Sequence, residues 1–224
     1  VQKKVSEKFG KTKTFSIFTL TMLTNSNFMQ TVFSPGVRPA GFFREVIAAE
    51  YRFALVPDQQ IWSKLAETLV EAGLEGILPF QHGEGLVELA GFSAPPRLEE
   101  TLARWTQRIC SQQGGLTLEV NNFSGLPPHS VYLRVQDLTS VRELMTNLRK
   151  LDIYLTGNGE EALMSANRIM LMVAKGLPAA HFDNILYRLG RVEFHQTISI
   201  QSLVLQKKYM GKWITAQQFP FSAF

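Results

Sequence analysis

From Tyr51 onward, short runs in which apolar and other residues alternate are interleaved with longer runs of helical spacing. Residues i and i+2 share one face of a strand, whereas i, i+3 and i+4 share one face of a helix, so the period separates the two. On this basis YRFALVP is a short strand closed by Pro57, and DQQIWSKLAETLVEAG is a helix with Ile61, Leu65, Leu69 and Val70 inward and Gly73 as its stop. GLVELAGF is the next strand. The segment SAPPRLEETLARWTQRICSQQGG reads as a helix with Ser93 as N-cap, prolines in its first turn and Leu98, Leu102, Trp105 and Ile109 as the buried stripe. LTLEVNNFSGLPPHSVYLRVQ predicts two strands around a Gly-Leu-Pro-Pro connection. DLTSVRELMTNLRKLDIYL predicts a helix with an Asp or Thr cap and Val141, Leu144, Met145, Leu148 and Leu151 inward.

A polar loop then leads into NRIMLMVAKGLP, which reads as a buried strand ending in a turn and a proline that opens the helix PAAHFDNILYRLG. The remainder, VEFHQTISIQSLVLQKKYMGKWITAQQFPF, has strand character with a lysine-rich turn near Lys207 to Lys212. Close hairpins among these strands place the chain in the α+β or mixed α/β class rather than with purely parallel sheets. Two segments also match each other. LVELAGFSAPP from Leu86 and MLMVAKGLPAA from Met170 both run through an apolar strand, an alanine, a glycine-containing turn and a proline, 84 residues apart. That is the pattern expected of two structurally equivalent halves, the alternative being two independent strand-turn-helix units that look alike by chance.

Charge changes the picture in one place. The net charge of the 224 residues is +4, but Lys3, Lys4, Lys8, Lys11, Lys13, Arg38 and Arg44 face only Glu7 in the first 44, which leaves −2 for the rest. A broad phosphate-backbone footprint on the globular part is therefore not supported. Residues 1–45 are expected to be a basic extension, flexible or mis-assigned, with Met22 and Met29 as internal starts, and 46–224 the folded domain. The apolar run TFSIFTLTML resembles a short signal-peptide core but is too short to span a bilayer, and a cytoplasmic protein without membrane attachment is the expectation. One cysteine, Cys110, excludes an intrachain disulfide and a cysteine-based zinc site, leaving a free, half-buried thiol.

With YRFALVP as first strand, LAGFSAPPRLEETLARWTQRICSQQ, VNNFSGLPPHSVYLRVQD, VAKGLP and FHQTISIQSLVLQKK in this order, the chain resembles the 2′-5′ RNA ligase and cyclic phosphodiesterase group, the 2H phosphoesterases, from about Tyr51 to Phe221. The resemblance implies two pseudo-symmetric α+β lobes whose antiparallel sheets face a central cleft. Each lobe would lend one strand with His-x-Thr or His-x-Ser, the histidines as acid and base and the hydroxyls on the phosphate, without a metal. At the matching positions this sequence has Leu86 and Glu88 in one half and Met170 and Met172 in the other. Leucine and methionine carry no useful proton, and Glu88 would repel a phosphate. The strand of Met170 thus reads as the wall of an ancestral site turned into core, and truncating Met170 or Leu86 to alanine is expected to cost about 2–5 kcal/mol.

The remaining candidates are weaker. His195 and Thr197 form a literal His-x-Thr, but it follows the VAKGLP turn and its helix and lacks a partner copy. His129 sits at a hairpin, His181 on an amphipathic helix, and His82 in a polar loop from which it could reach the cleft; no pair has metal-ligand spacing. Lys175 has the opposite parity from Met170 and Met172 and is assigned to the turn surface. Phe92, Phe123 and Tyr132 could stack a base but read as core aromatics. Glu88 is expected at a strand end, exposed or salt-bridged, with a cleft carboxylate as the sharper reading. The combined expectation is a catalytically silent binding or scaffold protein of this fold, taking RNA or a nucleotide in its cleft, without cofactor or metal and with no protein partner identified. The alternative is an active 2′,3′-cyclic phosphodiesterase or 2′-5′ RNA ligase-like enzyme that uses substitute residues.

Overall fold

Strand β1, Ala49–Pro57, buries Tyr51, Phe53 and Leu55 on one side and turns Arg52 to the other. This is the alternation the sequence carries, seen in a computed structural model that describes residues 48–75, 77 and 85–222, all within the compact unit Arg44–Phe224. The expected basic extension and His82 lie outside the described residues. Helix α1, Gln60–Glu71, buries Ile61, Trp62, Leu65 and Leu69 and ends at Gly73, whose positive φ of 67° suits a residue without a side chain. Val70, expected inward, is 55% exposed because it lies about 100° further round the helix than Leu69.

Strand β2, Val87–Ala94, includes Ser93, which therefore caps nothing; a turn through Pro96–Leu98 leads instead into helix α2, Glu99–Cys110. The helix buries Leu102, Ala103, Thr106, Ile109 and Cys110, and Trp105 is 47% exposed at the edge of that stripe. The buried stripe runs through positions 102, 103, 106, 109 and 110, so position 105, about 100° round the helix from 106, falls at its edge. Cys110 is fully buried rather than half-buried, and burial pushes its thiol up to about 12. The hairpin β3, Leu116–Leu126, and β4, Ser130–Val135, follows as expected. The predicted single helix is two, α3 at Thr139–Leu148 and α4 at Lys150–Gly157, and Asp137 accepts the Thr139 N–H at its start. The short β5, Met164–Ser165, then β6, Met170–Ala174, helix α5, Ala179–Leu189, β7, His195–Tyr209, and β8, Lys212–Pro220, complete the chain.

The strands form one antiparallel sheet in the order β5-β2-β1-β7-β3-β4-β6, with β8 also on β7. Each half runs strand, helix, strand, helix and then sends its next strand into the other half. Thus β3, which follows β1-α1-β2-α2, pairs with β4, and β7, which follows β4 to α5, pairs with β1. The repeat seen in the sequence is this pseudo-symmetry, with β2 and β6 as equivalents. Strand β7 serves both halves and changes parity to do so: Ile198 and Ile200 face the core in its first part, Leu203 and Leu205 in its second. The β1–β7 register shifts between Val56 and Pro57, opposite that change. Helices α1 to α5 and one face of the sheet share a single core that includes Phe53, Leu65, Leu102, Leu118, Leu144 and Ile185. The other face curls into an open half-barrel.

Candidate functional site

In the strand order β2 and β6 stand five places apart, yet both contribute to one cavity of about 400 Å³ on the open face. Curling of the sheet brings them there. Leu86 and Glu88 line it from the first half and Met170 and Met172 from the second, so the four positions singled out in the sequence do converge. They have not become core. Glu88 is exposed and Leu86, Met170 and Met172 are half-buried, while the alternate residues Val87, Leu89, Leu171 and Val173 are fully buried on the helix side. Period-two alternation put the methionines on the wall of an open space, and apolar character alone did not distinguish wall from core.

Three cations line the same cavity: Arg52 from β1, Arg168 from the β5–β6 connection, and Lys175 just past β6. Lys175 is exposed at the turn, as expected, and from there also lines the cavity, because β6 ends at Ala174 and strand parity no longer applies beyond it. Arg52 is the most constrained. Its Nη1 is 2.9 Å from Glu88 Oε2, its Nε donates to Gln206 Oε1 at 2.8 Å, and its guanidinium lies 4.3 Å from the centre of the Trp213 ring. Gln206 in turn donates to Thr215 Oγ1 at 3.4 Å. Burial pushes the Arg52 guanidinium down from its ordinary value, and the charge and hydrogen bond of Glu88 act against it. Glu88 is thus both a cavity carboxylate and a salt-bridge partner. Among the described lining residues, one carboxylate stands against three cations, the electrostatics of an anion site.

The sequence missed Arg52 and Arg168. Arg52 carries a legible signal, a cation inside YRFALVP at the parity opposite Tyr51, Phe53 and Leu55. Arg168 sits in a loop, where no periodicity tells which way a side chain points.

No described histidine lines the cavity. His129, at φ 54° in the β3–β4 turn, packs edge-on against Phe182 with 5.3 Å between ring centres. His195 and Thr197 are exposed on β7 opposite Asn121 and Glu119, away from the cavity wall. His181 is exposed on α5. Phe92 is buried and stacked on Tyr51 and Phe53, and Phe123 leans on Phe194, so both are packing residues. Tyr132 is half-buried opposite Met172, on the open side of β4. Among the described residues no group of three or more His, Cys, Asp or Glu side chains is placed to hold a metal ion, and no helix is long and apolar enough to cross a membrane.

A second, larger groove of about 900 Å³ adjoins the first and shares Leu86 with it. It runs between the end of β1, the middle of β7 and the end of β8. The entrance of β2 between the two spaces is tightly built: a Cβ at Gly85 would collide with the Trp62 ring, so only glycine lets the chain pass there toward Leu86.

Crystal structures of E. coli LigT share this fold. The complex with ATP matches at 12% identity and a TM-score of 0.52, covering 78% of this chain and 99% of that one. The complexes with NADP+ and 3′-AMP match at 13% and 15% identity and TM-scores of 0.53 and 0.51, covering 78% of this chain and 98% of theirs. The fold is therefore that of the 2H phosphoesterase and 2′-5′ RNA ligase group, two α+β halves about a curled antiparallel sheet, as the sequence motifs implied. No family model matches the chain, and no curated protein matches it by sequence.

Proposed function

We propose that this chain is a binding protein built on the 2H phosphoesterase fold, which holds a phosphate-bearing ligand such as a nucleotide or RNA end in the cavity between β2 and β6 without turning it over. The observation that carries this reading is the lining of that cavity: Leu86, Glu88, Met170 and Met172 at the equivalent strand positions, beside Arg52, Arg168 and Lys175. Guanidinium and ammonium groups supply charge-assisted contacts to phosphate oxygens. The methionine pair supplies a soft apolar surface that adapts to a flat ring or a ribose. Among the described residues the cavity wall presents no pair of histidines to serve as acid and base, each of which would contribute roughly 10²- to 10⁴-fold to such chemistry. LigT itself has been crystallised with ATP, NADP+ and 3′-AMP, ligands of the class proposed here.

Calorimetric titration with 3′-AMP, together with metal-free incubation of a nucleoside 2′,3′-cyclic phosphate, tests the proposal. Binding that weakens with added salt and is lost in Arg168→Ala, with no hydrolysis above buffer, is the expected result. The exposed carboxylate of Glu88 in the cavity favours one second reading, an enzyme with a substitute base. Hydrolysis that disappears in Glu88→Gln would establish that reading and overturn the first.

A further inference from the structure

The larger groove differs from the cavity beside it in chemistry. Its polar lining is almost entirely uncharged, with the amides of Gln59, Gln60, Gln201 and Gln218 and the hydroxyls of Ser202 and Thr215. The one charged group among its described lining residues is Asp58, and both its oxygens are engaged with the main chain: Oδ1 accepts Ile61 N–H at 3.3 Å and Oδ2 accepts Ser199 N–H at 3.2 Å. Asp58 is therefore a structural cap. Val56, Leu86 and Val204 provide apolar surface in the same groove. Gln218 is exposed on β8, and its Nε2 donates to Ser202 Oγ at 2.9 Å, which fixes the amide in orientation with its Oε1 free of any described partner.

We propose that this groove is a base-reading subsite, in which Gln218 and Gln201 recognise the edge of a nucleobase whose phosphate lies beyond Leu86 in the cationic cavity. The inference rests on the anion-site reading above and adds to it the part of the ligand that confers selectivity. Side-chain amides offer a donor and an acceptor side by side, the pattern that pairs with a base edge, and apolar side chains accept the ring face. A volume of about 900 Å³ admits a group of that size. The absence of cations from the described lining argues against a second phosphate there, and the shared residue Leu86 makes the two spaces one continuous path.

The test compares inorganic phosphate with the 3′-monophosphates of adenosine, guanosine, cytidine and uridine, on the wild-type chain, Gln218→Leu and Gln201→Leu. Gln218 and Gln201 are both exposed, so neither change threatens the core. The wild-type protein is expected to prefer one base over another by about tenfold, a preference that one or both variants abolish while phosphate affinity stays unchanged. Equal affinity for all four nucleotides, or a base preference that survives both substitutions, overturns the base-reading subsite and leaves the anion site standing. Failure of phosphate and of all four nucleotides to bind overturns the anion site itself, and the subsite with it.

Discussion

At the residue scale, Met170 and Leu86 show how little hydrophobicity says about burial by itself. Both are apolar positions in or beside strands, yet each is half-buried on a cavity wall, whereas Leu171 and Leu133 are fully buried one strand position away from open-face neighbours. A truncation at a cavity wall removes surface that is still partly wet and leaves no closed void. Met170→Ala and Leu86→Ala are accordingly expected to cost under about 1.5 kcal/mol, and Leu133→Ala about 2–5 kcal/mol. Urea unfolding of the three variants checks this; a loss at Met170 as large as that at Leu133 would show the cavity wall to be packed core.

At the element scale, helix α2 is fastened to the sheet by its first residue. Glu99 Oε2 accepts hydrogen bonds from Tyr51 Oη at 2.7 Å and Lys207 Nζ at 2.8 Å, joining the helix to β1 and β7. Burial pushes the Glu99 carboxyl up, but the hydrogen bonds from Lys207 and Tyr51 and the lysine charge outweigh it and hold the group below its ordinary value. Burial and the same carboxylate raise the Tyr51 phenol. A carboxylate with a depressed folded-state pKa contributes stability that is present above its unfolded pKa and is lost as pH falls through the folded one. Glu99→Gln is therefore expected to lower the urea midpoint at pH 7 and to flatten its decline between about pH 5 and pH 3. An acid limb as steep in the variant as in the parent would mean that the clamp contributes nothing.

At the scale of the whole folded unit, the two halves are interleaved by exchange of their central strands. Strand β7 is hydrogen-bonded to β1, β3 and β8, so neither half has a complete sheet without it. The halves are expected to open together: amide exchange should give β1 and β4, one from each half, the same opening free energy. Two well-separated values would show the lobes to be independent units. This interleaving also explains why the cavity is formed from residues so far apart in sequence, since the curl of the shared sheet is what brings β2 and β6 to one cavity.

Most of the order of strands and helices and the equivalence of the two halves were legible in the chain, because periodicity and internal repetition are local properties, and the four positions Leu86, Glu88, Met170 and Met172 followed from the resemblance to the 2H group; the two-residue β5 in the polar loop was too short to leave a pattern. The same local signals put Val70 and Trp105 inward, since a helical stripe read from sequence has no partner surface to fix its rotation. They joined α3 and α4 because nothing at Arg149 announces a break. Only the tertiary structure decided that the four positions line an open cavity, that Arg52, Arg168 and Lys175 meet there, and that an uncharged groove continues past Leu86. Those facts depend on the curl of the sheet and the parity change in β7, which arise when strands from both halves hydrogen-bond to one another.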